Sequence, residues 1–159
     1  MEGAAIAAEY RTPGKRGILG TMRTTLRLRP LVYLWASPTT LLGLVMVALA
    51  LAGRGRARRV AGVIEAHGGA AVAVLERLMP GGGADAIALG HVVVGRSAAS
   101  LERHRAHERV HVRQAERWGP LFLPAYAVAG LVAWLRGGDP YRDNRFEREA
   151  VERTTAAAE

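Results

Sequence analysis

Residues 100–118 read S-L-E-R-H-R-A-H-E-R-V-H-V-R-Q-A-E-R-W, and the spacing of histidine in this stretch governs how the rest of the chain is read. His107-Glu108-Arg109-Val110-His111 has the form H-E-x-x-H. Residues i and i+4 stand one above the other on an α-helix, so His107 and His111 offer two imidazoles from one face. Glu108, one step round, is placed to take a proton from a water activated by a metal held there. Five histidines scattered at random would give this arrangement in roughly one chain in a hundred, so the match is informative without being decisive.

Winding 100–118 at about 100° per residue separates its side chains sharply. Glu102, Arg105, Arg109, Arg113 and Glu116 fall on one narrow side. His104, His107, Glu108, His111, Ala115 and Trp118 fall opposite, with Leu101. Buried ionisable groups are costly unless paired or bound to a metal, so the inward set requires a partner. Gly119-Pro120 supplies the stop. A helix whose histidines merely hydrogen-bond within a core is the plainer alternative.

The chain has 159 residues, one small domain with accessories, and half of them are hydrophobic. It has no cysteine, so a metal must be held by nitrogen and oxygen. The net charge of +8 comes from arginine almost alone. No basic stripe interleaved with aromatics appears, and the arginines flank apolar segments. Lipid headgroups, rather than nucleic acid, are the expected counter-charge.

Residues 1–29 carry spread arginines and little that builds a core; they read as a basic mobile arm. Residues 30–53 follow, with L-V-Y-L-W-A-S-P-T-T-L-L-G-L-V-M-V-A-L-A-L-A-G free of charge from Leu31 to Gly53. That length covers a hydrocarbon core of ~30 Å, with Tyr33 and Trp35 at one end and Arg54, Arg56, Arg58 and Arg59 at the other. This reads as a transmembrane anchor that Pro38 kinks or splits. Arginine on the two flanks is nearly balanced, with a slight lean to a cytoplasmic catalytic part. Val60–His67 suggests a strand ending in a turn, whereas 70–79 fits helix or strand. Ala86–Gly95 alternates as one strand with Ile87, Leu89, His91 and Val93 on one face. Such a strand suits pairing with an extended substrate as well as an ordinary core role. Leu121–Leu135 is apolar but short for a span, and reads as a helix packed on the metal helix or dipping into the bilayer and returning.

Two histidines leave zinc short of the three protein ligands that catalytic sites use. Downstream, Asp143 or Asn144 can cap a helix. On it Glu147 lies amid Phe146, Ala150, Val151 and Thr154, while Glu149 lies opposite with Arg145, Glu152 and Arg153. Only Glu147 can face a site.

H-E-R-V-H, an apolar segment and N-R-F-E-R-E-A together resemble the gluzincin peptidases, nearest to the membrane-bound CAAX-protease and stress-protease type. The likeness covers residues 101–150 and implies zinc at His107, His111 and Glu147, with Glu108 as general base. That group usually has an aspartate after the alanine; Val151 stands there instead. The carboxylate that orients a histidine is then missing or supplied elsewhere, with Asp143 as a candidate. G-H-V-V-V-G-R, the H-E-R-V-H helix and D-P-Y-R-D-N also resemble a family of bacterial membrane proteins.

The expected fold is α+β and helix-dominated: a zincin-like core with a small sheet over 54–159, behind an N-terminal transmembrane helix. The expected function is a membrane-associated zinc metallopeptidase cutting a peptide or membrane-protein substrate, with Tyr141, Tyr126 and His104 as candidate oxyanion donors. The alternative is a non-catalytic membrane protein that keeps the metal for rigidity.

Overall fold

The structure is a computed structural model that describes residues 30–78 and 84–157; the basic arm lies outside them. The chain divides into Met1–Leu31 and Val32–Glu159, and the second unit holds every numbered strand and helix.

Two hairpins build the sheet. Arg56–Val60 (β1) turns through Ala61 and Gly62 into Val63–His67 (β2). Both turn residues have positive φ, 44° and 85°, the geometry whose twist matches paired strands. Ala70–Leu78 (α2) then carries the chain to the second hairpin. Ala86–Leu89 (β3) returns through Gly90, at φ 60°, and His91 into Val92–Gly95 (β4). Strands β2 and β4 pair in parallel, so the order is β1-β2-β4-β3. The fold is a helix-dominated α+β arrangement around a four-stranded mixed sheet.

The arginines after residue 53 form the edge strand β1. One expectation changes here: Ala86–Gly95 is a hairpin rather than one strand. Its two-residue turn shifts the alternation. Ile87 and Leu89 share a face with Val92 and Val94, while Val93 joins Ala86 and Ala88 on the other. A single glycine was the only turn signal in A-I-A-L-G-H-V-V-V-G, and alternation alone does not reveal a reversal.

The two faces of the sheet are covered by different helices. Ala66, Val92 and Val94 meet Met46 and Ala50 of Ser37–Ala52 (α1) together with Ala71 and Leu75 of α2. Val63, Ala86, Ala88 and Val93 meet Leu101 and Val112 of Ala98–Trp118 (α3). In α1 the buried positions Thr39, Gly43, Met46 and Ala50 make one stripe. Gly43 approaches the sheet so closely that a Cβ there would stand 2.5 Å from Val92 Cβ. The uncharged run is helical over 30–35, turns at Ala36, and restarts with Pro38 in the first turn of α1. Pro38 thus splits the run, and its second part is a layer of the domain.

The charged side of α3 also has partners. Glu65 of β2, 2% exposed, accepts from Arg105 Nε at 2.8 Å and Arg58 Nη2 at 3.1 Å. Arg109 donates to the carbonyls of Val60 and Ala61 in the β1–β2 turn. Burial alone would raise the Glu65 pKa, but hydrogen bonds and charge from Arg105, then Arg58, hold it below the ordinary carboxylate value. A lowered folded pKa means stability present above the unfolded value and lost as pH falls through the folded one. Glu65→Gln should therefore cost about 2 kcal/mol at pH 7, discounted for the exposure of Arg58, and less in acid. Urea unfolding at pH 7 and pH 4 measures this; equal midpoints for both proteins at pH 7 would refute it.

The chain leaves α3 through Gly119, at φ 56°, and a single 3₁₀ turn, Gly119–Leu121, into the apolar Phe122–Leu135 (α4). A Cβ at Gly119 would stand 2.3 Å from the Trp35 ring, so the start of α4 lies against the end of the 30–35 helix. Arg145–Ala156 (α5) closes the fold and packs on α3 and α4.

Candidate metal centre

Helix α3 begins at Ser97, whose side chain accepts from the Ser100 amide at 3.1 Å, and runs for 21 residues. Residues two apart on a helix point some 200° apart. With Arg105 and Arg109 turned to β1 and β2, His107 and His111 emerge on the side away from those strands. Helix α5 is capped by Asn144, whose Oδ1 accepts from Phe146 N at 3.0 Å. Its amide nitrogen donates to Tyr126 O at 3.0 Å, so one buried side chain starts α5 and ties it to α4. Phe146 is clamped between Trp118 and Phe122, and this fixes the rotation of α5 that turns Glu147 inward.

The three expected ligands meet. His107 Nε2 lies 3.1 Å from Glu147 Oε2, His111 Nε2 lies 3.3 Å from Glu147 Oε1, and the two Nε2 atoms are 3.0 Å apart. One ligand atom from each side chain lies within 4.8 Å of the others. Nitrogen and oxygen donors ~2.0–2.2 Å from a tetrahedral zinc stand roughly 3.3 Å from each other, so this triad fits such an ion. Burial would push Glu147 up, yet hydrogen bonds from His107 and His111 hold it well below the carboxylate range, as a ligand must be.

Gln114 sets the tautomer of His111. Its amide nitrogen donates to Phe146 O and Glu149 Oε2, both at 3.0 Å, which leaves Oε1 facing His111 Nδ1 at 2.8 Å. His111 Nδ1 therefore carries the proton and Nε2 keeps its lone pair for a metal. Glu149 is steadied in turn by Arg153 at 2.8 Å. Tyr126 donates to Glu147 Oε1 at 2.6 Å. Asp143 is not the orienting group: its Oδ2 accepts from Asp139 N at 2.7 Å. The signal for Gln114 was its place three residues after His111, on the same helical face, where an amide is easily passed over.

Glu108 is 5% exposed, and among the described residues its carboxylate has no hydrogen-bond partner. Burial raises its pKa, partly offset by the charges of His111 and His107. A carboxylate with a raised pKa is better suited to receive a proton than an ordinary one. His104, expected inward, is part-exposed and lies 3.4 Å from Asp85 at the head of β3. His91 has structural partners: it stacks on Tyr33, and its ring nitrogens face Thr40 Oγ1 at 3.2 Å and Glu116 Oε1 at 3.1 Å.

Replacing Gln114 by Ala frees the ring of His111 to rotate and to change tautomer. Zinc affinity should fall ~10–100-fold with the fold retained. Competition with a fluorescent chelator reads this, and unchanged affinity would show that Gln114 does not orient the ligand.

Compared with protein-family models, curated proteins and solved structures, the chain matches none.

Proposed function

We propose that this chain is a membrane-associated zinc metallopeptidase with a zincin-like core. The observation that carries the reading is the meeting of Glu147 with His107 and His111 across forty residues of sequence, beside the buried Glu108. His107, His111 and Glu147 would hold a zinc ion, which would supply Lewis acidity and bring a bound water's pKa towards ~7. Glu108 takes the proton of the attacking water and returns it to the departing amine. Tyr126 holds the Glu147 carboxylate in place. Tyr141, which interacts with that same carboxylate, is left as the donor for the oxyanion.

A peptide substrate is supported by the sheet. Strand β3 is an edge strand packed against α3, and His104 meets Asp85 on that flank of the helix. Among the described residues its outer main-chain edge pairs with no strand, which suits an extended peptide. Association with a bilayer is supported by the outer sides of the apolar helices. Leu41, Leu42, Val45 and Leu51 of α1, and Val128, Leu131, Trp134 and Leu135 of α4, are each more than half exposed. Large exposed apolar side chains in such number on two helices are of the kind that meets a membrane or a partner. By length and composition the stretch ending at Leu135 is apolar enough to cross a membrane, although the 3₁₀ turn Gly119–Leu121 separates α3 from the 14-residue α4.

Zinc content decides the first step. Protein purified in neutral detergent should carry about one zinc per chain by mass spectrometry, and His107→Ala should carry almost none. Equal metal in the two proteins ends the proposal.

A further inference from the structure

On the side of α5 turned away from the imidazoles, α4 and α5 diverge around a cavity of about 800 Å³. That volume is within the ~300–1,000 Å³ of small-molecule sites. One wall is apolar and comes from α4: Ala125, Val128, Ala129 and Val132. The other wall and the mouth carry Arg136, Arg145 and Arg148. Arg145 lies over the Trp118 and Phe146 rings, 5.9 and 5.3 Å from their centroids. Arg136 and Arg148 are exposed, and neither has an acidic partner within ion-pair distance among the described residues. Three carboxylates also line the cavity. Glu149 is paired with Arg153, whereas Asp143, which accepts from the Asp139 amide, and Glu152 keep their charge. Against Arg136, Arg145 and Arg148 they leave an excess of one positive charge.

We propose that this groove binds one anionic phospholipid, its phosphate between Arg136 and Arg148 and an acyl chain along the α4 wall. A soluble anion would use the arginines and leave the apolar wall wet; a neutral lipid would use the wall and leave two guanidiniums unpaired. Only an anionic amphiphile matches both. The occupant bridges α4 to α5 beside Phe146 and Glu149, on the helix that carries Glu147. Lipid binding thereby stabilises the helix pairing on which the metal ligand depends. The proposal rests on the reading that α4 lies against a bilayer.

Two measurements separate that reading from the groove. In flotation, the chain should rise with vesicles of phosphatidylcholine alone; if it stays at the bottom, the bilayer reading and this proposal both fail. In native mass spectrometry from neutral detergent, one phosphatidylglycerol should be retained roughly tenfold better than phosphatidylcholine. Arg136→Gln/Arg148→Gln should remove that preference without changing flotation, while Arg113→Gln, on an exposed part of α3, should keep it. Flotation with equal retention of the two lipids, or an unchanged preference in the double variant, overturns the groove alone. Displacement of the lipid by millimolar inorganic phosphate would also overturn it, by assigning the arginines to a soluble anion.

Discussion

Glu108→Gln should keep its zinc and its fold yet lose peptide hydrolysis by ~10²–10⁴-fold, the range a positioned general base contributes. The substitution preserves shape and removes only the capacity to accept a proton. Glu108 is buried but makes no hydrogen bond among the described residues, so no structural partner is orphaned by the change. The amide also removes the cost of a buried carboxylate, and stability should hold or rise slightly. Cleavage of quenched-fluorescent peptides in neutral detergent, with metal content measured on the same samples, reads both halves. If the variant turned over as fast as the parent, Glu108 would not be the base. If neither protein cleaved any peptide while both held zinc, the metal would be serving rigidity, as in the non-catalytic alternative.

Chelation should lower the melting temperature by about 8–15 °C at pH 8. A ligand present at a thousand times its dissociation constant stabilises by ~4 kcal/mol, and a domain of this size shifts ~2–4 °C per kcal/mol. The drop should shrink at pH 5. Burial lowers the His111 pKa, but the hydrogen bond and charge of Glu147 more than offset this and raise it when no ion is bound. A raised folded pKa adds stability that is full below the unfolded value and is lost as pH rises through the folded one. In acid the protonated His111 and Glu147 hold α3 to α5 as an ion pair, and protons compete with zinc. As pH rises through the folded His111 value that pair is lost and the ion has more to replace. Scanning calorimetry with and without chelator tests the trend; a larger loss at pH 5 than at pH 8 would contradict it.

How much of this could be read without coordinates differs by element. The helix carrying His107 and His111 was legible because its pattern needs only local geometry: two imidazoles four apart share a face whatever surrounds them. Glu147 was legible for the same reason, since only one carboxylate of its helix lay on the apolar side. Asn144 as the cap, and the break at Pro38, followed from backbone chemistry confined to a few residues. The reversal at Gly90-His91 escaped because a two-residue turn leaves almost no mark on composition. Arg105 and Arg109 were placed on the charged side, but their partners Glu65, Val60 and Ala61 lie 40 to 49 residues away, beyond any local pattern.

The amino-acid order by itself determined which side chains are able to chelate and which segments are apolar, because periodicity and charge act within a helical turn. The tertiary structure alone decided that the triad closes to about 3 Å, that an amide rather than a carboxylate orients His111, and that α1 is a layer of the domain. Those outcomes depend on long-range packing: Phe146 between Trp118 and Phe122 turns Glu147 inward, and Gly43 lets a helix approach Val92 as no other residue would.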